Sequence, residues 1–196
     1  MRIDETSIPD VKLISLRRFE DPRGYFSEIY NKSRLAEAGI VASFVQDNIS
    51  VSNYRYTVRG IHFQTAPYVQ GKLVQVLHGA VLDTFVDLRP TSPTFLKHAT
   101  VELSADKWNQ LWIPGGFGHA VCTLLPGTML SYKVDAPYAP VHDAGIIWND
   151  VDLAIQWPMS ESEALLSDKD RKLPTLAAVR AKLPQFFAAS SGDRRS

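Results

Sequence analysis

Between residues 58 and 134 the apolar positions come in short runs, broken at near-regular intervals by glycine and proline. Lys72-Leu-Val-Gln-Val-Leu reads as a strand, His78-Gly79 as a turn and residues 80–88 (Ala-Val-Leu-Asp-Thr-Phe-Val-Asp-Leu) as the returning strand. Residues 95–103, 110–114, 118–125 and 128–134 continue the pattern, with Pro114-Gly-Gly and Pro126-Gly127 as breakers. Short strands at even spacing with Gly/Pro turns predict an all-β chain, a sandwich or jelly-roll barrel. Two helices are predicted. One covers residues 31–38, with Asn31 as N-cap and Gly39 just past its end. The other covers residues 174–182, with Leu176, Val179 and Leu183 as its apolar stripe. No internal repeat or interdomain linker interrupts the chain, so residues 1–187 are expected to form one domain. The small polar residues 188–196 are expected to be disordered.

Composition narrows the function classes. The chain has 196 residues, 45% of them hydrophobic, enough for one substantial core. Its 21 basic and 21 acidic residues cancel, which argues against general nucleic-acid binding. Cys122 is the single cysteine, so an intrachain disulfide or a cysteine zinc site is impossible, consistent with a reducing cytoplasm. The N-terminus has acids where a signal peptide needs an apolar stretch. No apolar run approaches the roughly 20 residues that cross a bilayer. A cytoplasmic protein without membrane contact is the expectation.

Four segments carry more polar chemistry than a barrel core needs. In Asp21-Pro-Arg-Gly-Tyr-Phe-Ser-Glu28, Pro22 and Gly24 make a turn with Arg23 at its tip and Glu28 on the strand that follows; alone, this reads as a charged surface turn. Gln46, Asp47 and Asn48 lie between apolar stretches, where amides either read a pyrimidine base or bond their own backbone. In Val58-Arg-Gly-Ile-His-Phe-Gln64, simple alternation puts Gly60, His62 and Gln64 on one face and Arg59 on the other. With Lys72 ten residues after His62, the segment sets a base beside cations, which suits abstraction of a carbon acid's proton. The fourth segment, Pro114-Gly-Gly-Phe-Gly-His119, fits the second cupin motif, P-x-G-x-x-H. A metal-binding cupin also needs H-x-H and a downstream Glu; here the first motif reads His62-Phe-Gln64, so no metal is expected.

Together these segments resemble the dTDP-4-dehydrorhamnose 3,5-epimerase family, metal-independent cupins of nucleotide-sugar biosynthesis. The resemblance runs from about residue 19 to 174 and includes Asp21-x-Arg-Gly-x-Phe-x-Glu28, Gln46-Asp-Asn-x-Ser50, Arg59-Gly-Ile-His-Phe-Gln64, Lys72-Leu-Val, Val86-Asp-Leu-Arg89, Gln110-Leu-Trp-Ile-Pro-x-Gly-Phe-x-His119, Tyr132-Lys133, Trp148-Asn-Asp150 and Ser167-Asp-Lys-Asp170. It implies a cupin-like jelly roll with no cofactor that inverts C3, C5 or both of a dTDP-4-keto-6-deoxy-hexose. In that reading His62 is the base, Asp170 orients it, Lys72 steadies the enolate and Tyr132 returns a proton from the opposite ring face. Arg23, Arg59 and Lys169 contact the diphosphate, Glu28 and Gln46 to Asn48 hold the nucleoside, and His119 and Asp143 line the pocket. It also implies a homodimer whose N-terminal strands cross to the partner. Asp143 stands where the family usually has Glu, and Phe63 where many members have Tyr. These departures leave open which sugar is bound and whether one centre or two is inverted.

Two other classes compete. A metal-dependent cupin oxygenase or isomerase would use His119 with His62 or His78. A non-catalytic sugar-nucleotide-binding barrel would have no use for a matched base and acid. Trp108, Trp112, Trp148 and Trp157 read as core or interface aromatics, Asp83 and Asp87 as structural, and Tyr138 as packing or as a platform for a base or sugar.

Overall fold

The computed structural model describes residues 1–188, so the expectation for the tail beyond Ala188 lies outside the described residues. The chain opens with β1 (Arg2–Glu5), β2 (Lys12–Ser15) and a small hairpin of β3 (Phe19–Asp21) and β4 (Gly24–Phe26). Helix α1 (Lys32–Glu37) precedes β5 (Gln46–Ser52) and β6 (Val58–Gln64). A run of antiparallel strands follows: β7 (Lys72–His78), β8 (Ala80–Asp87), β9 (His98–Ser104), β10 (Asn109–Ile113), β11 (Phe117–Thr123) and β12 (Thr128–Val134). After β13 (Asp143–Gly145) come the short helices α2 (Asp168–Arg171), α3 (Leu176–Val179) and α4 (Leu183–Phe186).

The strands form two main sheets, β1-β2-β10-β7-β12-β5 and β13-β6-β11-β8-β9. Val74 and Val76 of β7, Leu111 of β10 and Leu130 of β12 pack against Val81 and Phe85 of β8, Leu103 of β9 and Val121 of β11, filling the space between the sheets. This is the cupin-like jelly-roll barrel. Both sheets are also covered outside. Ile61, Val86, Leu88 and Ile146 meet Leu176, Val179 and Leu183 of the C-terminal helices, while Leu73 and Trp112 meet Leu35 of α1. Burial on both faces leaves every residue of β8 but Leu82 buried, the polar Asp83, Thr84 and Asp87 included. Truncating a residue such as Phe85, with no exposed surface, would cost about 3–5 kcal/mol.

Two element expectations need correction. The strand expected over residues 95–103 starts only at His98. Residues 89–94 are tied instead to the buried Asp87 carboxylate, which accepts from Ser92 Oγ at 2.5 Å, Thr94 Oγ1 at 2.6 Å and the Arg89 guanidinium at 2.7 Å. The helix expected over residues 174–182 starts after the N-cap Thr175 and tightens into a 3-10 turn at Arg180–Lys182 before α4. Pro184 has no N–H to donate back and its ring crowds the Arg180 carbonyl, so a continuous α-helix is blocked. The N-terminal helix agrees closely: Asn31 caps it by accepting from the Arg34 amide, and Gly39 sits past its end at φ +81°.

Candidate active site

The site is organised by an irregularity in β6. Its pairing with β11 runs from His62 opposite His119 to Arg59 opposite Val121, so that between these pairs Gly60 and Ile61 face Ala120 alone. The extra residue breaks the alternation. Arg59, expected on the face away from His62, therefore lines the same cavity as His62. Gly60 makes this possible. It holds φ +112°, and a Cβ there would lie 2.5 Å from the His119 carbonyl oxygen. Only glycine fits.

The cavity, about 360 Å³, lies at the end of the barrel where β6, β7, β11 and β12 meet α2. His62, Lys72, His119, Tyr132 and Asp170 all line it. Ser167 caps α2 by accepting from the Asp170 amide, which sets the buried Asp170 carboxylate 2.7 Å from His62 Nε2. Burial pushes the Asp170 carboxyl up, but the His62 ring and the nearby Ser167 and Lys169 outweigh it, and the net shift is downward. The group is therefore a fixed anion beside the imidazole.

Lys72 starts β7, and burial pushes its ammonium down to about 8 against the opposing charges of Asp83 and Asp143. Tyr132 comes from the neighbouring strand β12, where burial raises its phenol against the charge of Arg59. His119 is anchored from below: its Nε2 lies 2.9 and 3.0 Å from the two oxygens of Asp83, which has no exposed surface. Alternation alone had suggested a structural role for Asp83. Nothing in local sequence shows that β8 and β11 pair with Asp83 within reach of His119.

At the mouth, Asp143 forms an ion pair with Lys169 and accepts from the Tyr138 hydroxyl at 2.9 Å. That hydrogen bond raises the Tyr138 phenol, and the same carboxylate raises the Lys169 ammonium. Tyr138 is 55% exposed and lines the cavity, so its ring is a rim rather than a core element.

The remaining expected residues do not reach this cavity within one chain. Arg23 is exposed and paired with Asp21 at 2.6 Å. Glu28, expected on a strand, lies beyond the end of β4 and serves α1 instead, pairing with Arg34 at 3.1 Å and accepting from Asn31. Asp47 pairs with Lys133 at 2.9 Å, and Gln46 donates to Asn48 at 2.7 Å. Gln46 and Asp47 line a second, smaller depression with Tyr30, Phe44 and Lys133. Gln64, at the position of a cupin metal ligand, spends its amide on the backbone of Tyr68, Pro137 and Ala139. Among the described residues no group of three or more His, Cys, Asp or Glu side chains is placed to hold a metal ion.

The family model described as dTDP-4-dehydrorhamnose 3,5-epimerase matches residues 5–178. The chain belongs to the dTDP-4-dehydrorhamnose 3,5-epimerase family. A relative of that name from Sinorhizobium fredii is 45% identical over 179 residues, covering 91% of each chain. The crystal structure of dTDP-4-dehydrorhamnose 3,5-epimerase from Bacillus anthracis, with TDP and pyrophosphate bound, is 50% identical at a TM-score of 0.86, covering 89% of this chain and 99% of that one. The dTDP-6-deoxy-D-glucose-3,5-epimerase of Legionella pneumophila, in complex with dTDP-4-keto-L-rhamnose, is 38% identical at a TM-score of 0.88, covering 97% and 99%. Membership makes this chain a nucleotide-sugar epimerase, an isomerase by class.

Proposed function

We propose that this epimerase inverts C3 and C5 of a dTDP-4-keto-6-deoxy-hexose by proton transfer across the cavity that holds His62 and Tyr132. The His62 imidazole removes the proton from a carbon beside the C4 ketone, and the C–H electron pair moves onto the carbonyl oxygen as an enolate. Asp170, held as an anion 2.7 Å from His62 Nε2, stabilises the imidazolium that forms. The Lys72 ammonium neutralises the enolate oxygen. The Tyr132 phenol then donates its proton to the other face of the carbon, the enolate pair forms the new C–H bond, and the centre is inverted. Solvent reprotonates the tyrosinate and takes up the His62 proton. The observation that carries this reading is the placement of a carboxylate-backed imidazole, an ammonium and a buried phenol around one cavity.

Arg59 and Lys169, both lining the cavity, would meet the diphosphate, with Asp143 and Tyr138 beside Lys169. We assign Arg23 to the diphosphate and Glu28, Asp47 and Asn48 to the nucleoside in the partner's pocket of a homodimer. Support comes from β5, an edge strand whose Ile49 and Val51 are 67% and 48% exposed, and from the hairpin residue Phe26 at 71%. A reducing cytoplasm suits the buried, unpaired Cys122. The test is NMR of a dTDP-4-keto-6-deoxy-glucose reaction in deuterium oxide with EDTA. Deuterium at both C3 and C5 is expected. Exchange at one carbon makes this a single-centre epimerase, and exchange at neither overturns the reading.

A further inference from the structure

The loop that presents Tyr138 has no strand partner for its backbone, yet its polar groups are satisfied in order along the chain. The Ala136 carbonyl accepts from Gln70 Nε2 at 2.6 Å. The Pro137 carbonyl accepts from Gln64 Nε2 at 3.1 Å. The Tyr138 amide donates to Gln46 Oε1 at 3.1 Å, and the Ala139 amide donates to Gln64 Oε1 at 2.7 Å. Three glutamines, from β5, the end of β6 and the loop after it, thus clamp four consecutive residues. The choice of side chain follows from chemistry. A primary amide carries a donor nitrogen and an acceptor oxygen side by side at the end of a flexible side chain, and this loop offers carbonyls and N–H groups in succession. Gln46 is committed at both ends, because its Nε2 donates to Asn48 Oδ1 at 2.7 Å.

We propose that Gln46, Gln64 and Gln70 are positioning residues that hold Tyr138 over the pocket mouth, where its ring meets the nucleotide end of the substrate; this rests on the function proposed above. None of the three acts on the reacting carbons. Their effect is to settle the conformation of a rim residue before the ligand arrives, so that its ordering cost is not charged to binding. The resemblance placed Gln46 among the nucleoside contacts; here its amide acts through Tyr138 of its own chain.

The test is a double-mutant cycle. Gln70→Met, Tyr138→Ala and the double variant are titrated with dTDP by calorimetry and assayed for KM and for the saturated rate. Loss of one clamp bond should weaken dTDP binding and raise KM about five- to tenfold, leaving the saturated rate within about twofold. In the Tyr138→Ala background the same change should add nothing. Gln64→Met, with a thermal melt beside it, repeats the cycle at the buried clamp. Penalties that multiply in the double variants overturn the proposal, as does a fall in saturated rate at constant KM. Absence of deuterium exchange in the unaltered enzyme would overturn the epimerase reading alone, because the dTDP cycle is read without turnover.

Discussion

The barrel pocket and the N-terminal hairpin carry equally suggestive polar motifs, yet the fold treats them in opposite ways. In the pocket, charged groups are partnered across elements distant in sequence: His62 with Asp170, His119 with Asp83, Lys169 with Asp143. In the hairpin, charges are satisfied locally, Arg23 by Asp21 and Glu28 by Arg34, while Phe19, Tyr25 and Phe26 stay exposed. The hairpin is nonetheless braced. Arg18 lies over the rings of both Tyr25 and Trp108 at 4.6 and 4.8 Å, and the Trp108 indole donates to Ser27 at 2.8 Å. A pre-shaped arm with aromatic residues turned to solvent has the character of a surface built for another chain. That contrast motivates the proposed homodimer, in which the hairpin would complete the pocket of the other chain.

The sharpest way to break this contrast is to remove the base. His62→Ala should cut the exchange rate at C3 and C5 by about 10³-fold or more, since the imidazole supplies general base catalysis. Retained exchange would move the chemistry elsewhere. Tyr132→Phe should lower inversion by about 10²-fold while His62 still exchanges a proton on its own face, so deuterium enters without change of configuration. Equal loss of exchange and inversion would deny the phenol its separate role.

Mixing the variants tests the hairpin. Arg23→Ala and His62→Ala chains, each weak alone, should recover about a quarter of wild-type activity after equilibration, because half the dimers are mixed and each holds one intact site. No recovery would mean that each arm serves its own pocket.

Lys72 predicts a smaller, pH-dependent effect. The ammonium is held at about 8, well below its ordinary 10.5, so activity should fall above pH 8 as the enolate loses its counter-charge. Stability should move the other way. Between those two values the unfolded chain keeps a proton that the folded chain has released, so unfolding becomes harder as pH rises through that window. Lys72→Met should flatten both profiles.

The mildest expected change is Asp143→Asn. It frees Lys169 from its ion pair at an exposed rim and should shift KM by about two- to fivefold with the saturated rate unaltered.

Much of this was legible from local rules. Strand spacing, Gly/Pro turns and the Asn31 cap act within a few residues, and the barrel and α1 follow from them. His62 and Lys72 stood out as a base beside cations, whereas Tyr132 and Asp170 were implied only by a resemblance spread over most of the chain. Alternation misplaced Arg59 because a bulge is a property of two strands, and β11 supplies the other half. The broken C-terminal helix was readable in principle from Pro184, but the apolar stripe spoke louder. Asp83 beneath His119 and the glutamines behind Tyr138 could not be found along the chain at all. A hydrogen bond between residues 36 or 92 positions apart depends on how sheets register and loops return, and no window of sequence contains that information.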